Sequence, residues 1–313
     1  MTKSFITGVD GFIGSWLAQE LLSQGDQVFG LSQSKSGNFD GVVKHKADLT
    51  SAEEINKIIK QVKPDRLFHL AAQSNIPASF KNPQETIDVN VNGSLNLLEA
   101  IRLSSPKTVF ISVGSSAEYG LTAHQHSILK EDMPLAPSSP YGISKATQGY
   151  FSALYHRAYQ IKTIHVRPFA IVGPRKTRDA LCDFCQGIVQ IESGTAKKLP
   201  IGNLEAIRDF IDVRDMIKIL IVLSEKGKWG EIYNICSGKG MNLSQILDML
   251  KKISSAKIKT IIDETRSRPA DDLTIVGDPS KLLKIGFKFQ YSIESSINDT
   301  LSYWREQNKP KES

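Results

Sequence analysis

The amino-acid sequence predicts an α/β protein built on a doubly wound parallel sheet, with a smaller, mixed region towards the C-terminus. Short runs of β-branched and aromatic residues alternate with helical periodicity through the first half of the chain, which is typical of a parallel sheet with helices on both faces. A glycine-rich turn, Gly8 to Gly14, joins the first run to the first helical segment. After Arg167 and Pro168 the alternation breaks down. The 313 residues, 40% of them hydrophobic, are enough to bury a full core.

The individual strands and helices follow from these runs in chain order. Ser51 and Glu54 have the spacing of a capping box, which begins a helix that ends near Val62. The order of the elements indicates a Rossmann-type sheet. The predicted strands are 4–7, 28–31, 42–46, 67–70, 108–113 and 163–166, and the other predicted helices are 15–23, 90–103 and 141–159.

The same pattern predicts how the chain is divided. Residues 1–166 are expected to form a dinucleotide-binding Rossmann domain, and a segment near 210–236 is expected to return to it. Residues 167–209 and 237–313 are expected to form a substrate-binding region. In open α/β sheets ligands bind outside the carboxyl ends of the strands, so the substrate is expected between the two regions.

Charge and hydropathy exclude several classes of protein. The formal net charge is +6, but basic and acidic residues are interspersed, so we expect no nucleic-acid binding. The longest apolar stretch, Ile217 to Leu223, contains Lys218 and is far shorter than the ~20 residues of a membrane span. No secretory signal is visible between Met1 and the apolar pair Phe5-Ile6, so we expect a cytoplasmic protein without a membrane partner.

The spacing of two cysteines superficially resembles a redox or zinc pair. Cys182 and Cys185 lie in a helical segment, and the sequence offers no second ligand pair. We therefore expect two ordinary helix residues and no metal site.

The glycine-rich turn predicts a dinucleotide cofactor. Gly8 permits the tight turn, Gly11 lets the backbone approach a pyrophosphate, and Gly14 lets helix and strand pack closely. Phe12 and Ile13 open the helix whose N-terminus then faces the phosphates. A structural turn is the alternative, but the strand-loop-helix context favours the cofactor.

The end of the second strand bears on the choice between nicotinamide cofactors, because an acid there accepts the ribose 2′-hydroxyl whereas a 2′-phosphate needs donors. Ser32, Gln33, Ser34 and Lys35 include no acid and can all donate, which favours NADP(H) over NAD(H). Asp48, followed by Leu49, is expected at the adenine edge. The alternative for Asp48 is a loop residue leading to the Ser51 cap.

Tyr141 and Lys145 are the candidate catalytic pair. Their spacing of four places both on one helix face, where the ammonium is expected to lower the phenol pKa and prepare it for proton transfer. A tyrosine and a lysine on a surface helix are the alternative. The strand end at Ser115 and the glycine-rich turn favour the catalytic interpretation.

The chain resembles the extended short-chain dehydrogenases/reductases. The resemblance implies a Ser115–Tyr141–Lys145 catalytic set, a homodimer formed through the helices at 90–103 and 141–159, and a nucleotide-sugar substrate. It also adds Leu70, Ala71, Ala72 and Asn90 to the cofactor site. The motifs that carry it are Thr7–Gly14, His69–Ala72, Asn90–Gly93, Ser115–Gly120, Tyr141–Lys145 and Arg208–Phe210.

Within that family the chain is most similar to GDP-mannose 4,6-dehydratases and GDP-4-keto-6-deoxy-mannose reductases, through Gly202–Phe210 and Arg268–Asp272 followed by Gly277-Asp278. Dehydratases of this group carry an acid two places before the tyrosine that Tyr119 matches. Ala117 stands at that place, Ser116 precedes it, and Glu118 would face the other side of an extended segment.

We therefore expect an NADPH-dependent reductase of the 4-keto group of a nucleotide-linked 4-keto-6-deoxy sugar, with hydride from the cofactor and a proton from Tyr141. The GDP-linked sugar is favoured. A GDP-mannose 4,6-dehydratase and a nucleotide-sugar 4-epimerase are the enzymatic alternatives, and an NADPH-sensing binding protein is the non-enzymatic one.

The resemblance also implies a set of substrate contacts. Ala170 occupies the place where relatives have an asparagine. Arg208 and Arg268 match arginines of the family and suit bidentate binding of phosphate oxygens; surface salt bridges to Asp209 or Asp271 are the alternative. The full predicted set is Ser116, Ala117, Ala170, Arg175, Asn203, Arg208, Arg268 and Asp271.

Overall fold

The computed structural model describes residues 1–32, 40–264 and 274–309. The strands of this part are β1 (Lys3–Thr7), β2 (Gln27–Ser32), β3 (Val42–Lys46), β4 (Arg66–His69), β5 (Val109–Val113), β6 (Lys162–Pro168), β7 (Ala170–Val172), β8 (Leu199–Ile201), β9 (Ile207–Asp212), β10 (Ile232–Ile235), β11 (Gly240–Asn242), β12 (Thr260–Ile262) and β13 (Thr274–Ile275).

The helices alternate with the strands through the first half of the chain. A π-helical turn covers Asp88–Asn92, and 3₁₀ turns cover Ser116–Glu118 and Leu121–His124. The α-helices are α1 (Phe12–Ser23), α2 (Ala52–Val62), α3 (Ile76–Lys81), α4 (Pro83–Ile87), α5 (Gly93–Ser104), α6 (Pro140–Tyr159), α7 (Ala180–Glu192), α8 (Val213–Lys226), α9 (Leu243–Ile253), α10 (Ser280–Lys284) and α11 (Ile293–Gln307).

A seven-stranded sheet organises the molecule. Its strand order is β10-β6-β5-β4-β1-β2-β3, and every neighbouring pair is parallel. Helices cover both faces: one apolar cluster packs α1 and α8 against the sheet, and a second packs α2 and α5. The predicted α/β class with a Rossmann-type sheet is confirmed. All carboxyl ends of these strands lie along one edge.

Smaller sheets form beside that edge. β9 pairs with β7, β11 and β13, and β8 pairs with β12. Helices α7, α9 and α11 pack around a third apolar cluster here, in which Cys185 is buried. Cys182 is also buried within α7, so both cysteines are helix residues, as expected from the sequence.

Two local expectations need correction. Ser51 caps α2 by accepting from the backbone N of Glu54, but the Glu54 carboxylate accepts from the backbone N of Asp48 instead of returning to Ser51. The predicted helix over 90–103 begins only at Gly93, because the π-helical turn precedes it. Within the described residues, no helix is both long and apolar enough to span a membrane.

A buried ion pair joins the amino-terminal ends of the central strands. Nη2 of Arg66, on β4, lies 2.8 Å from Oδ2 of Asp26, and both side chains are 8% exposed. Nε of Arg66 donates to Oγ of Ser4 on β1, and Nη1 reaches the half-exposed carboxylate of Glu225 on α8. A buried guanidinium needs such partners, because an unpaired buried charge is strongly destabilising.

We predict that Asp26→Asn lowers the free energy of unfolding by about 2 kcal/mol, the usual range for a buried hydrogen bond to a charged group. The isosteric amide keeps the shape but removes the charge that faces Arg66. Glu225→Gln, at a more exposed partner of the same guanidinium, should cost less than about 1 kcal/mol. Urea denaturation of the three proteins decides this, and equal stabilities would contradict the assignment.

Candidate active site

The glycine-rich loop brings two backbone segments into close contact at the carboxyl edge. Gly8 has φ +70°, and a Cβ there would lie 2.9 Å from the backbone N of Ala71. A Cβ on Gly14 would lie 2.2 Å from the carbonyl O of Gly8. Only glycine is compatible with either position. Gly11 is the N-cap of α1, whose first turn contains no acidic residue.

The loop after β4 is held against this turn by Thr7. Its Oγ1 accepts from the backbone N of Leu70 and of Ala71, each at 3.1 Å, and lies 2.8 Å from Nδ1 of His69. Burial lowers the pKa of His69 to about 3, so this imidazole is neutral at physiological pH. Leu70, Ala71 and Ala72 therefore lie beside Gly8, where the sequence predicted a cofactor contact.

These residues fit a dinucleotide. A bare glycine backbone faces the first turn of α1, whose N–H groups lack intrahelical partners and favour an anion. Phe12 and Ile13 start that helix and pack on the core beneath it. The pyrophosphate would be held here, by backbone groups of the loop and of the helix.

The adenosine side of the site is described only in part. Ser32 ends β2, whereas Gln33, Ser34 and Lys35 lie outside the described residues. Asp48 is exposed and its carboxylate accepts from the backbone N of Thr50, as the alternative interpretation of Asp48 as a loop residue implies. Leu49 is buried in the core.

The sequence analysis missed an ion pair beside these residues. Asp10, within the glycine-rich loop, lies 2.6 Å from Nζ of Lys44 on β3. Each side chain is about one-fifth to one-quarter exposed, at 24% and 19%. The lysine thus offsets a negative charge next to the loop.

Asn90 does not present its amide to the predicted cofactor site. Its Oδ1 accepts from the backbone N of Gln73, and its Nδ2 donates to the carbonyl O of Gln73 and to Oγ of Ser144. The side chain is fully buried, and both N–H groups are used within the protein. Asn90 therefore ties the segment after β4 to α6, and the cofactor contact expected for it stays a prediction.

Ser115 and Tyr141 meet where β5 ends and α6 begins. Ser139 caps α6 and Pro140 follows, so Tyr141 lies in the first turn. A Cβ on Gly142 would lie 2.6 Å from the carbonyl O of Ala117, which shows how closely the helix approaches the turn after Ser115. A hydrogen bond from Ser115 to the phenol lowers the pKa of Tyr141, but burial dominates and raises it to about 12.

Lys145 lies one helical turn further along α6 and is 3% exposed. Its Nζ donates to the carbonyl O of Val113 at 2.7 Å and to Oε1 of Gln148 at 2.9 Å. Burial lowers the pKa of Lys145 to about 8, while the negative charge of Glu118 opposes that shift. The expectation of a lowered phenol pKa is not met, because burial raises the pKa of Tyr141 to about 12.

Glu118 lies in a 3₁₀ turn rather than in the extended segment assumed from the sequence. Ser115 caps this turn and Ser116 and Ala117, both partly exposed, precede the glutamate. The carboxylate is fully buried: Oε1 accepts from the backbone N of Ser115, and Oε2 lies 2.8 Å from Nε of Arg167. It therefore points away from the open side of the turn.

A cleft of about 650 Å³ opens between the carboxyl edge and the smaller sheets. Ser115, Tyr141 and Lys145 are not among the residues that line the cleft. The lining segment 74–77 leads into α3, and Oγ of Ser79 on α3 accepts from the backbone N of Tyr141. The cleft is therefore connected to the catalytic set through α3. The cleft is lined by Ser74, Asn75, Ile76, Pro77, Ala170, Lys176, Arg178, Asp179, Ala180, Leu181, Asp183, Phe184, Pro200, Gly202, Asn203, Leu204, Ala206, Arg208, Phe210 and Leu243.

Three predicted substrate residues, Ala170, Asn203 and Arg208, line this cleft. Arg175 does not: its guanidinium stacks on Trp16 and donates to Oε1 of Gln19 on α1. The substrate contact expected for Arg175 stays a prediction.

The alternative for Arg208 was a salt bridge to Asp209, and the contacts that the structure describes for the Asp209 carboxylate do not include Arg208. Asp209 is buried and accepts from the backbone of Ser237, Gly238 and Gly277 instead. Arg268 and Asp271 lie outside the described residues.

The sequence analysis missed several residues of the cleft. Lys176 and Arg178 add positive charge, and Ser74 and Asn75 add polar groups. Their positions in the chain could have identified them. Ser74 and Asn75 lie in the segment after β4, and Lys176 lies in the segment after β7, beyond the Gly173-Pro174 turn. Segments after the carboxyl ends of parallel strands are where ligands bind in such sheets.

Comparison with known protein sequences agrees with this geometry. The GDP-mannose 4,6 dehydratase family model matches residues 5–300. GDP-6-deoxy-D-mannose reductase of Pseudomonas aeruginosa is 27% identical over 305 residues, covering 96% of this chain and 97% of that protein. GDP-mannose 4,6 dehydratase 2 of Arabidopsis thaliana is 31% identical over 319 residues, covering 94% of this chain and 84% of that protein.

Solved structures show the same architecture. RMD from Pseudomonas aeruginosa, complexed with NADPH, superposes with a TM-score of 0.86 at 25% identity and covers 98% of this chain and 100% of that one. UDP-glucose 4-epimerase from Thermotoga maritima, with UDP-glucose, has a TM-score of 0.88 at 24% identity over 98% of this chain and 99% of that one, a likeness of fold. Because the family model spans nearly the whole chain, this protein belongs to the GDP-mannose 4,6-dehydratase family.

Proposed function

We propose that this protein is an NADPH-dependent reductase that converts the 4-keto group of a GDP-linked 4-keto-6-deoxy sugar to a hydroxyl. One observation carries the choice of reaction. Ala117 stands where a dehydratase needs an acid, and the neighbouring carboxylate of Glu118 is fully buried between Ser115 and Arg167. A dehydratase needs a carboxyl group to take a proton from the sugar, whereas a ketone reduction needs only a hydride and a proton.

The proton comes from Tyr141. Its pKa is raised to about 12 by burial, so the phenol is protonated at neutral pH and can act as the general acid. Ser115 hydrogen-bonds with the same phenol and is placed to orient the ketone oxygen. The ammonium of Lys145, 3% exposed one turn along α6, stabilises the negative charge that develops on Tyr141 as the proton leaves.

A nicotinamide cofactor supplies the hydride for this reaction. Gly8, Gly11 and Gly14 would hold its pyrophosphate, and the loop of Leu70, Ala71 and Ala72 would line its path along the carboxyl edge. We propose NADP(H) as the preferred form, because no acid ends β2 and because Lys44 neutralises Asp10 next to the loop. The relative RMD was solved with NADPH.

The cleft supplies the substrate site in this proposal. Arg178 and Arg208 offer positive charge for a diphosphate, and Lys176 lies beside them in an ion pair with Asp179 (2.9 Å). The GDP-linked sugar is favoured by the names of the relatives, a GDP-6-deoxy-D-mannose reductase and a GDP-mannose 4,6 dehydratase. Ala170 and Asn203, which line the same cleft, complete the proposed contacts.

We predict that the purified protein oxidises NADPH in the presence of GDP-4-keto-6-deoxy-mannose. Tyr141→Phe should lower kcat by about 10²–10⁴ while leaving NADPH affinity nearly unchanged, because only the proton donor is lost. Steady-state kinetics with cofactor titrations measure both.

GDP-mannose with NADP⁺ should yield no 4-keto-6-deoxy product. Appearance of that product, or near-normal kcat in the phenylalanine variant, would refute the proposed reaction.

The cofactor preference gives a second prediction. NADPH should bind more tightly than NADH, as measured by fluorescence titration. Lys44→Met should weaken NADPH binding by about tenfold and NADH binding much less, because the uncovered charge of Asp10 would repel the more negatively charged cofactor. The double variant Lys44→Met/Asp10→Asn should recover the preference. Tighter binding of NADH by the wild type would overturn the NADP(H) assignment.

A homodimer is the proposed assembly. Ile143, Tyr150 and Leu154 lie on one face of α6 and are 47%, 63% and 44% exposed, and Leu103 on α5 is 61% exposed. Exposed apolar side chains on adjacent helices favour burial against a second copy.

We predict a dimeric mass by light scattering at micromolar concentration and a monomeric mass for Tyr150→Lys/Leu154→Lys, since the two charges would be buried at the interface. Ile262→Lys changes another exposed apolar residue, on β12, and should leave the dimer intact. A monomeric wild type would contradict the proposed assembly.

A further inference from the structure

A chain of buried polar side chains connects Lys145 with Glu118, between α6 and the strands β5 and β6. Nζ of Lys145 donates to Oε1 of Gln148 (2.9 Å), whose Nε2 donates to Oγ of Ser112 (2.9 Å). That oxygen lies 3.0 Å from Nδ1 of His165, and Nε2 of His165 lies 2.9 Å from Oε1 of Glu118. All five side chains are at most 3% exposed. The buried ammonium is thus joined to a buried carboxylate.

The carboxylate of Glu118 is ionised and held from several sides. Burial alone would raise the pKa of Glu118, but the charges and hydrogen bonds of His165 and Arg167 keep it below its usual value. Arg167 is itself fixed, because its Nη1 donates to the hydroxyl of Tyr119 and to the carbonyl O of Glu131. An ionised carboxylate only accepts, so Nε2 of His165 carries the proton between them.

Two glycines leave the space that this arrangement occupies. A Cβ on Gly114, directly after β5, would lie 2.0 Å from Oε1 of Glu118 and 2.4 Å from Nε2 of His165. A Cβ on Gly149, within α6, would lie 2.9 Å from Nε2 of His165. Neither glycine has a positive φ. Close approach to the Glu118–His165 pair is therefore the reason for glycine at both positions.

The same carboxylate contacts the main chain of Ser115 directly and is connected to Lys145 through His165, Ser112 and Gln148. Its Oε1 accepts from the backbone N of Ser115 at 2.9 Å, which fixes the start of the turn that presents the serine side chain. Lys145 otherwise has two neutral acceptors, the carbonyl O of Val113 and Oε1 of Gln148. A buried ammonium between neutral acceptors pays a desolvation penalty that a nearby anion reduces.

We propose that Glu118 is a positioning residue of the active site, which holds the main chain of Ser115 and, through His165, Ser112 and Gln148, keeps Lys145 ordered and charged. Its kinetic readout rests on the proposed reduction, but its effect on Lys145 does not. This gives the glutamate a role different from the acid of a dehydratase, since it acts through other residues.

Other charged groups near α6 do not replace it. Glu118 raises the pKa of Lys145, and it also raises the pKa of Tyr141. Lys145 in turn contributes to the lowered pKa of His69 on β4. Two of the remaining charged groups on elements packed against α6 lie on β6, namely Arg167 and the exposed Lys162. The others are the exposed Lys81, Glu85 and Asp88 of α3, α4 and the π-helical turn, and the mutually paired Glu99 and Arg102 of α5.

The decisive variant is Glu118→Gln, which keeps the shape and removes the charge. The pKa of Lys145 should fall below about 8, as measured in the protein without substrate by NMR of ¹³Cε-labelled lysine, with the signal identified by its loss in Lys145→Met. Ketone reduction needs the ammonium, so the alkaline limb of kcat/KM should move to lower pH. A fall of about one unit gives about tenfold less activity near pH 9 and little change near pH 6.

Two further variants separate positioning from stability. Ser112→Ala breaks the connection between Gln148 and His165 but keeps the direct partners of Lys145 and of Glu118, and should shift the Lys145 titration in the same direction. If Glu118→Gln fails to fold, this variant still tests whether the hydrogen-bonded connection to Glu118 affects the pKa of Lys145. Asp26→Asn removes a comparable buried carboxylate remote from the site. It should reduce stability without changing the pKa of Lys145 or the alkaline limb of kcat/KM.

The outcomes are distinct. An unchanged Lys145 titration in Glu118→Gln, or in Ser112→Ala where the first variant does not fold, would overturn the proposal, even if thermal stability falls. A wild type that reduces no 4-keto sugar would refute the proposed function alone, because the NMR titration needs no substrate and still decides the role of Glu118.

Discussion

The parallel arrangement of seven strands is the constraint on which the site depends. Buried on both faces, these strands place all their carboxyl ends along one edge. The glycine-rich loop follows β1, the Leu70–Ala72 loop follows β4, and Ser115 follows β5. Residues distant in sequence therefore meet without any local signal between them. The close contact of Gly8 with Ala71 is a direct consequence of this crowding.

Crowding at this edge also places polar groups where water does not reach. Each such group must then be satisfied within the protein. His69 is held neutral between Thr7 and Ser94, and Asn90 uses its amide on Gln73 and Ser144. The buried side chains from Lys145 to Glu118 are likewise hydrogen-bonded to one another, and the two residues at the ends are charged. These contacts tie the loops to α6, and the backbone N of Tyr141 in its first turn donates to Oγ of Ser79 on α3.

Burial and packing likewise explain why the surroundings of some residues differ from those that the sequence suggested. The phenol pKa of Tyr141 was expected to fall beside Lys145, but desolvation outweighs the other influences and raises it to about 12. Asn90 was expected at the cofactor and is instead consumed by protein partners. Arg175 was expected at a phosphate, whereas its guanidinium packs against Trp16. In each case the residue type suited the predicted chemistry, but its neighbours come from other parts of the chain.

The sequence alone determined six strands of the seven-stranded sheet, four of the helices that cover it and the glycine-rich loop, because hydrophobic periodicity and glycine spacing are local properties. It also placed Tyr141 and Lys145 on one helix face, since a spacing of four requires only a helix. Only the tertiary structure decided the surroundings of Glu118, which owes its partners to β6 and the turn after β5. It also decided which cations line the cleft. Contacts between segments far apart in the chain depend on packing, which no local pattern encodes.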